Sequence, residues 1–123
     1  LKSYGKELIL DLHKCDSSRF NRRDIEGYLN LLVAKLDMQA CDLHWWDDVG
    51  VPEAEQQTEP HLKGTSAVQF IMTSSIVIHT LELMGNAYIN IFSCKEFDAA
   101  MALEFSEEWF DGQAANSHVI DRI

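Results

Sequence analysis

Four side chains in the later half of the 123-residue chain carry groups able to attack a carbonyl or move a proton: Ser66, Ser74, His79 and Cys94. Ser74 stands eight residues after Ser66, His79 five after Ser74, and Cys94 fifteen after His79. A serine hydroxyl is a weak nucleophile until a base or a favourable geometry activates it. An imidazole of ordinary pKa about 6.5 suits proton removal at neutral pH, and a thiol of ordinary pKa about 8.5 is mostly protonated there and can donate. Taken singly, each has a plainer place as well. A histidine in a strand can be a satisfied structural residue, a serine can be inert, and a cysteine can pack as a small apolar side chain.

The rest of the composition narrows the chemistry. Cys15, Cys41 and Cys94 are scattered, with no C-x-x-C spacing, so neither a disulfide framework nor a metal site is expected; free thiols in a reducing cytoplasm are. A formal net charge of −10 disfavours nucleic acid and anionic membranes and attracts small cations instead. No apolar run reaches the ~18 residues of a membrane span, and the first residues have no signal-like character.

The elements that must position these groups follow from periodicity. Leu8, Leu10 and Leu12 alternate with Ile9, Asp11 and His13, which predicts a half-buried strand over 7–13. Ile25, Leu29, Leu32, Val33 and Leu36 form the stripe of an amphipathic helix that Asn21 can cap. A strand is expected over 39–47, then a long polar, acidic loop from Asp47 to Lys63 that holds both prolines, Pro52 and Pro60. Three β-branched stretches, 66–73, 75–82 and 86–93, read as strands, with Gly85-Asn86 as a turn. Phe97, Met101, Phe105 and Trp109 recur every four residues as the apolar face of a second helix, and the tail beyond Gly112 reads as frayed. This order predicts one domain over 1–123 with an α+β, two-layer sandwich fold: an antiparallel sheet with two helices on one face. Ser74 and His79 differ in parity, so an unbroken strand would send them to opposite sides; a bend or bulge between them is expected.

Three stretches together resemble the small prokaryotic S-adenosylmethionine decarboxylases. They are Gly5-Lys6 through Asp11-Leu12 to Cys15-Asp16, then Gly64-Thr65-Ser66-Ala67 through Ser74 to His79-Thr80, then Gly85 through Ile91-Phe92-Ser93-Cys94. The similarity runs over about residues 5–110. It implies a proenzyme that cuts itself between Thr73 and Ser74, leaving a pyruvoyl group derived from Ser74 and no metal. Such a group condenses with a substrate amine as a Schiff base and accepts the electrons released with carbon dioxide. By the same resemblance His79 is the base that removes the Ser74 α-proton, Ser66 assists self-cleavage, and Cys94 is the acid that returns a proton to Cα. On that assignment a Cys94→Ala chain would still cleave but decarboxylate poorly. A cationic amino-acid substrate and a homodimer of processed chains, each site built from both subunits, are implied too.

The sequence departs from the family pattern around the substrate. Thr73 stands where relatives have Glu, Ser75 where they have His, Pro60 where they have the Phe that stacks on adenine, and Asn90 where they have Asp. The ribose-binding Glu is replaced by Leu83, with Glu82 one position early. Glu82 and Trp45 are therefore the substrate-binding candidates, with Trp46 or His61 as other stacking surfaces. The leading expectation is decarboxylation of S-adenosylmethionine to supply aminopropyl groups for spermidine. The same chemistry on arginine or ornithine, or a non-processing ligand-binding homologue, stays open.

Overall fold

A computed structural model describes residues 2–123. The chain runs β1 (Gly5–His13), α1 (Arg22–Lys35), β2 (Ala40–Trp46), β3 (Gly64–Ile71), β4 (Ser74–Leu81), β5 (Asn86–Ser93), α2 (Ala99–Phe110) and β6 (Gln113–Arg122). The strands form one antiparallel six-stranded sheet in the order β2-β3-β4-β5-β1-β6, and the two helices complete the expected α+β sandwich.

Burial on the covered face follows strand parity. Leu8, Leu10 and Leu12 of β1, Ile76 and Ile78 of β4, and Ile89 and Ile91 of β5 are buried with the α1 stripe Ile25, Leu29, Leu32, Val33 and Leu36. Asn21 caps α1 as expected, its side chain accepting from the Asp24 N–H at 2.9 Å. In the β4–β5 turn Gly85 takes φ +67°, a left-handed conformation that glycine adopts without a Cβ clash.

Two expectations need correction. The stretch after Gly112 is not frayed: β6 pairs antiparallel with β1 from Gly5↔Arg122 to His13↔Gln113, with one irregularity between Asp11 and Leu12. All ten of its side chains are exposed, so no apolar alternation marks it. The free hydrogen-bonding edge of β1 places it instead. Helix α2 is turned about one position from its aromatic stripe: Ala102, Ser106 and Phe110 are the buried face. Phe105 and Trp109 lean on α1, where the Phe105 ring stacks on Tyr28 at 5.6 Å and Trp109 Nε1 donates to the Asp24 carbonyl at 3.1 Å. Tyr28, fully buried, reaches Ser106 Oγ at 2.7 Å.

The 47–63 segment is long and irregular, with a single 3-10 turn at Glu53–Glu55. Ion pairs pin it: Arg22 meets both Asp47 oxygens at 2.6 and 2.8 Å, and Lys63 Nζ meets Asp48 at 2.9 Å. Among the described residues no helix is long and apolar enough to cross a membrane.

Among the described residues no helix lies over the opposite sheet face. That face carries Phe70 and Trp46, about half or more exposed, and partly exposed Val68, Val77, Tyr88 and Phe92.

Candidate active site

Antiparallel pairing decides which candidates meet. Ser75 is opposite Phe92, so the first residue of β4 lies beside the last of β5, and Cys94, one step beyond β5, reaches Ser74. The Cys94 N–H donates to Ser74 Oγ at 3.0 Å, and Ser74 Oγ lies 3.6 Å from Cys94 Sγ. Thr73 Oγ1 lies 3.0 Å from the same sulfur and 2.8 Å from the Met72 carbonyl. The hydroxyls of Thr73 and then Ser74 hold the Cys94 thiol below its ordinary pKa, with a smaller push from the Lys95 charge and burial opposing them. These groups border a cavity of about 250 Å³ whose far wall is the turn after α1, at Asp37, Met38 and Gln39.

The peptide before Ser74 has an unusual conformation. Thr73 takes φ +53°, the left-handed region, which a β-branched residue rarely adopts and which costs about 1–3 kcal/mol. The two-residue turn from β3 to β4 imposes it, because Ile71 pairs with Ser74 and leaves only Met72 and Thr73 to reverse the chain.

Ser66 and His79 form a second group. They are register partners on β3 and β4, with Ser66 Oγ and His79 Nδ1 2.7 Å apart. The expected bend between Ser74 and His79 is absent: β4 keeps continuous register with both neighbours from residue 74 to 81. Regular pairing on both sides leaves no room for an extra residue. Ser74 is therefore buried on the helix-covered face while His79 is exposed on the open face. Five residues of strand also separate them along β4, about 16 Å at ~3.3 Å per residue.

The substrate-binding candidates divide in the same way. Trp45 packs partly buried against the core beneath the Arg22 guanidinium, 5.6 Å from its ring centre. Trp46 is the indole on the open face, opposite Ser66 and 63% exposed. Nothing in the sequence marked Trp46 over Trp45, because only the β2–β3 register decides which indole shares a face with Ser66. Glu82 follows β4 at the end remote from Ser74, in a hollow between the start of α1 and the long loop. Thr65 Oγ1 donates to its Oε1 at 3.2 Å, and its buried Oε2 has no partner among the described residues. Pro60 and His61 are exposed in the loop, and the Leu83 side chain is largely exposed. The contact between Thr73 and Cys94 is the feature sequence reasoning missed.

Comparison with known proteins gives two findings. The sequence matches the S-adenosylmethionine decarboxylase family over residues 6–123. Among solved structures, the adenosylmethionine decarboxylase of Aquifex aeolicus VF5 is similar, with a TM-score of 0.76 and 21% identity over 99% of this chain and 92% of that one. At that identity the likeness speaks for the fold alone. No match was found among curated proteins.

Proposed function

Since the chain belongs to the S-adenosylmethionine decarboxylase family, whose members are carboxy-lyases, we propose that it is a self-cleaving proenzyme that decarboxylates S-adenosylmethionine. Its product would be an aminopropyl donor for spermidine synthesis. The observation that carries this reading is the junction of Thr73 and Ser74: a left-handed residue on one side of the peptide bond, and on the other a serine hydroxyl held by the Cys94 N–H beside the Cys94 thiol.

The junction suits an intramolecular acyl shift. Ser74 Oγ adds to the Thr73 carbonyl carbon, the C–N bond breaks, and an ester replaces the amide. Removal of the Ser74 α-proton then expels the ester oxygen as a carboxylate on Thr73 and frees a second fragment headed by residue 74. That residue is then a dehydroalanine, whose imine tautomer would take up water and lose its nitrogen as ammonia to leave a pyruvoyl group, the electron sink that loss of carbon dioxide from an α-amino acid requires. Residues around it fit such a group: a cavity of about 250 Å³ opens at Ser74, and Cys94 Sγ lies within reach of that position to hold or return a proton.

His79 and Ser66 belong in this scheme only if they come from a second copy. In one chain His79 lies on the other face of β4 from Ser74, and Glu82 lies beyond its other end. The uncovered sheet face, with Trp46, Val68, Phe70, Val77 and Phe92, is the apolar surface on which two copies would pack. We therefore read the working unit as a homodimer in which His79 of the partner subunit removes the α-proton. Trp46, exposed on that same sheet face, is suited to stack against a ring of the nucleoside, whereas Glu82 opens between α1 and the long loop, away from that face.

Mixing two inactive variants tests this. In a Ser74→Ala and His79→Ala heterodimer one site has both wild-type groups, so the His79→Ala chain alone should be cut, and carbon dioxide should be released from carboxyl-labelled S-adenosylmethionine. No cleavage in the mixture contradicts the two-chain site. Release from labelled arginine or ornithine in place of S-adenosylmethionine moves the substrate to the smaller amino acids.

A further inference from the structure

We propose that Cys94 is the base that deprotonates Ser74 at the start of self-cleavage, with Thr73 as the positioning residue that holds the sulfur ready. This rests on the self-cleavage read above and gives the thiol a task before any substrate arrives. It departs from the sequence expectation that Cys94 matters only for the later proton return.

The acyl shift needs an acceptor for the Ser74 hydroxyl proton. Among the described residues the only titratable side chain within hydrogen-bonding distance of Ser74 Oγ is Cys94, with Sγ at 3.6 Å. His79 of the same chain is excluded by its place on the opposite face. The contact is built from two directions. The Cys94 N–H fixes the Ser74 oxygen at 3.0 Å, and the one hydroxyl hydrogen of Thr73, whose Oγ1 is 2.8 Å from the Met72 carbonyl and 3.0 Å from Sγ, can turn to the sulfur from the scissile peptide's other residue. Hydrogen bonds to the charged form favour it, so the pair of hydroxyls holds the sulfur toward thiolate. The charged groups facing it are few. Lys95 is adjacent, with its Nζ tied to the Asp37 carbonyl at 2.6 Å; Asp37 is the other charged residue lining the cavity, and Glu96 beyond is paired with Lys6.

The step balances without a co-reactant. The thiolate takes the Ser74 Oγ proton as Oγ bonds to the Thr73 carbonyl carbon. When the C–N bond breaks, the leaving Ser74 nitrogen takes that proton from the thiol, and the thiolate is restored. The product is the ester with a free amine, and no electrons are exchanged.

The test follows self-cleavage of freshly folded chain by intact mass between about pH 6 and 9, in wild type, Cys94→Ala, Cys94→Ser, Thr73→Val and Thr73→Ser, with circular dichroism to confirm folding. Cys94→Ala and Cys94→Ser should cleave on the order of 100-fold more slowly or worse, and lose the rise of rate with pH. Thr73→Val should move that rise upward by about one pH unit, while Thr73→Ser leaves it in place. Hydroxylamine, which cuts the ester, separates the steps: it should split the His79→Ala chain, where ester accumulates, and leave Cys94→Ala whole. Cleavage of Cys94→Ala at the wild-type rate overturns the proposal, as does a slow Cys94→Ala chain that hydroxylamine splits. If folded wild type never cleaves, the self-cleavage reading falls with it; the other two failures leave that reading standing.

Discussion

Replacing Thr73 tests whether the backbone before Ser74 is strained. At φ +53° a branched Cβ crowds its own backbone, at a cost of about 1–3 kcal/mol, whereas glycine accepts this conformation freely. Glycine also frees the unfolded chain, which gives back about 0.5–1 kcal/mol. Thr73→Gly and Thr73→Val both remove the hydroxyl that lies 3.0 Å from Cys94 Sγ, so the difference between them isolates the backbone. In a Ser74→Ala background, where nothing can cleave, the glycine variant should be the more stable by about 0.5–2 kcal/mol. Urea unfolding at equilibrium measures this, and each kcal/mol corresponds to roughly 3–6 °C in Tm for a chain of this size. In the cleavable chain the order reverses. If attack on the Thr73 carbonyl releases the strain, the glycine variant should cleave about 2- to 30-fold more slowly than the valine variant. At a position of negative φ, valine would win on stability. A valine variant as stable as glycine refutes the strain.

Three further outcomes follow from the packing. Ser106 Oγ gives its hydrogen to the Ala102 carbonyl at 2.7 Å and so receives one from Tyr28; Ser106→Ala strands a buried hydroxyl and should cost about 1–3 kcal/mol in thermal unfolding. Tyr28→Phe should cost about 1 kcal/mol, and adding it to Ser106→Ala should cost nothing more. Burial lifts the Cys15 thiol to about 11, so iodoacetamide at neutral pH should label Cys94 and exposed Cys41 well before Cys15, as peptide mass mapping would show. The Arg22 hydrogen bonds hold the Asp47 carboxyl below its ordinary pKa against the opposing effect of burial. A depressed acid adds stability above its unfolded pKa and loses it as pH falls through the folded one. The stability gap between wild type and Arg22→Ala in urea unfolding should therefore close below about pH 4; a gap that persists in acid contradicts the ion pair.

What the sequence made legible was what local pattern controls. The Leu8-Leu10-Leu12 alternation, the Ile25 to Leu36 stripe and the Asn21 cap all lie where their periods and chemistry require. Strand β6 escaped because its ten exposed side chains carry no apolar signal and its place is set by the edge of β1. The orientation of α2 escaped because Phe105 and Trp109 are held by α1, a neighbour distant in sequence. The candidate site was legible as residue types and spacing, but its division was not. Parity already sent Ser74 and His79 to opposite faces, and only the unbroken register of β4 removes the bulge that would have reunited them. Thr73 read as the residue before the cut and as a departure from the family pattern, and only the hairpin register brings its hydroxyl to Cys94.

All of the proposed chemistry depends on the Ser74 hydroxyl severing the bond before it and leaving a ketone. Intact-mass spectrometry of the purified, folded chain after treatment with a carbonyl-trapping hydrazide decides it. Two fragments are expected, residues 1–73 ending in a free carboxyl and a second piece carrying one hydrazone at its head. A single full-length mass with no adduct contradicts the proposed cut.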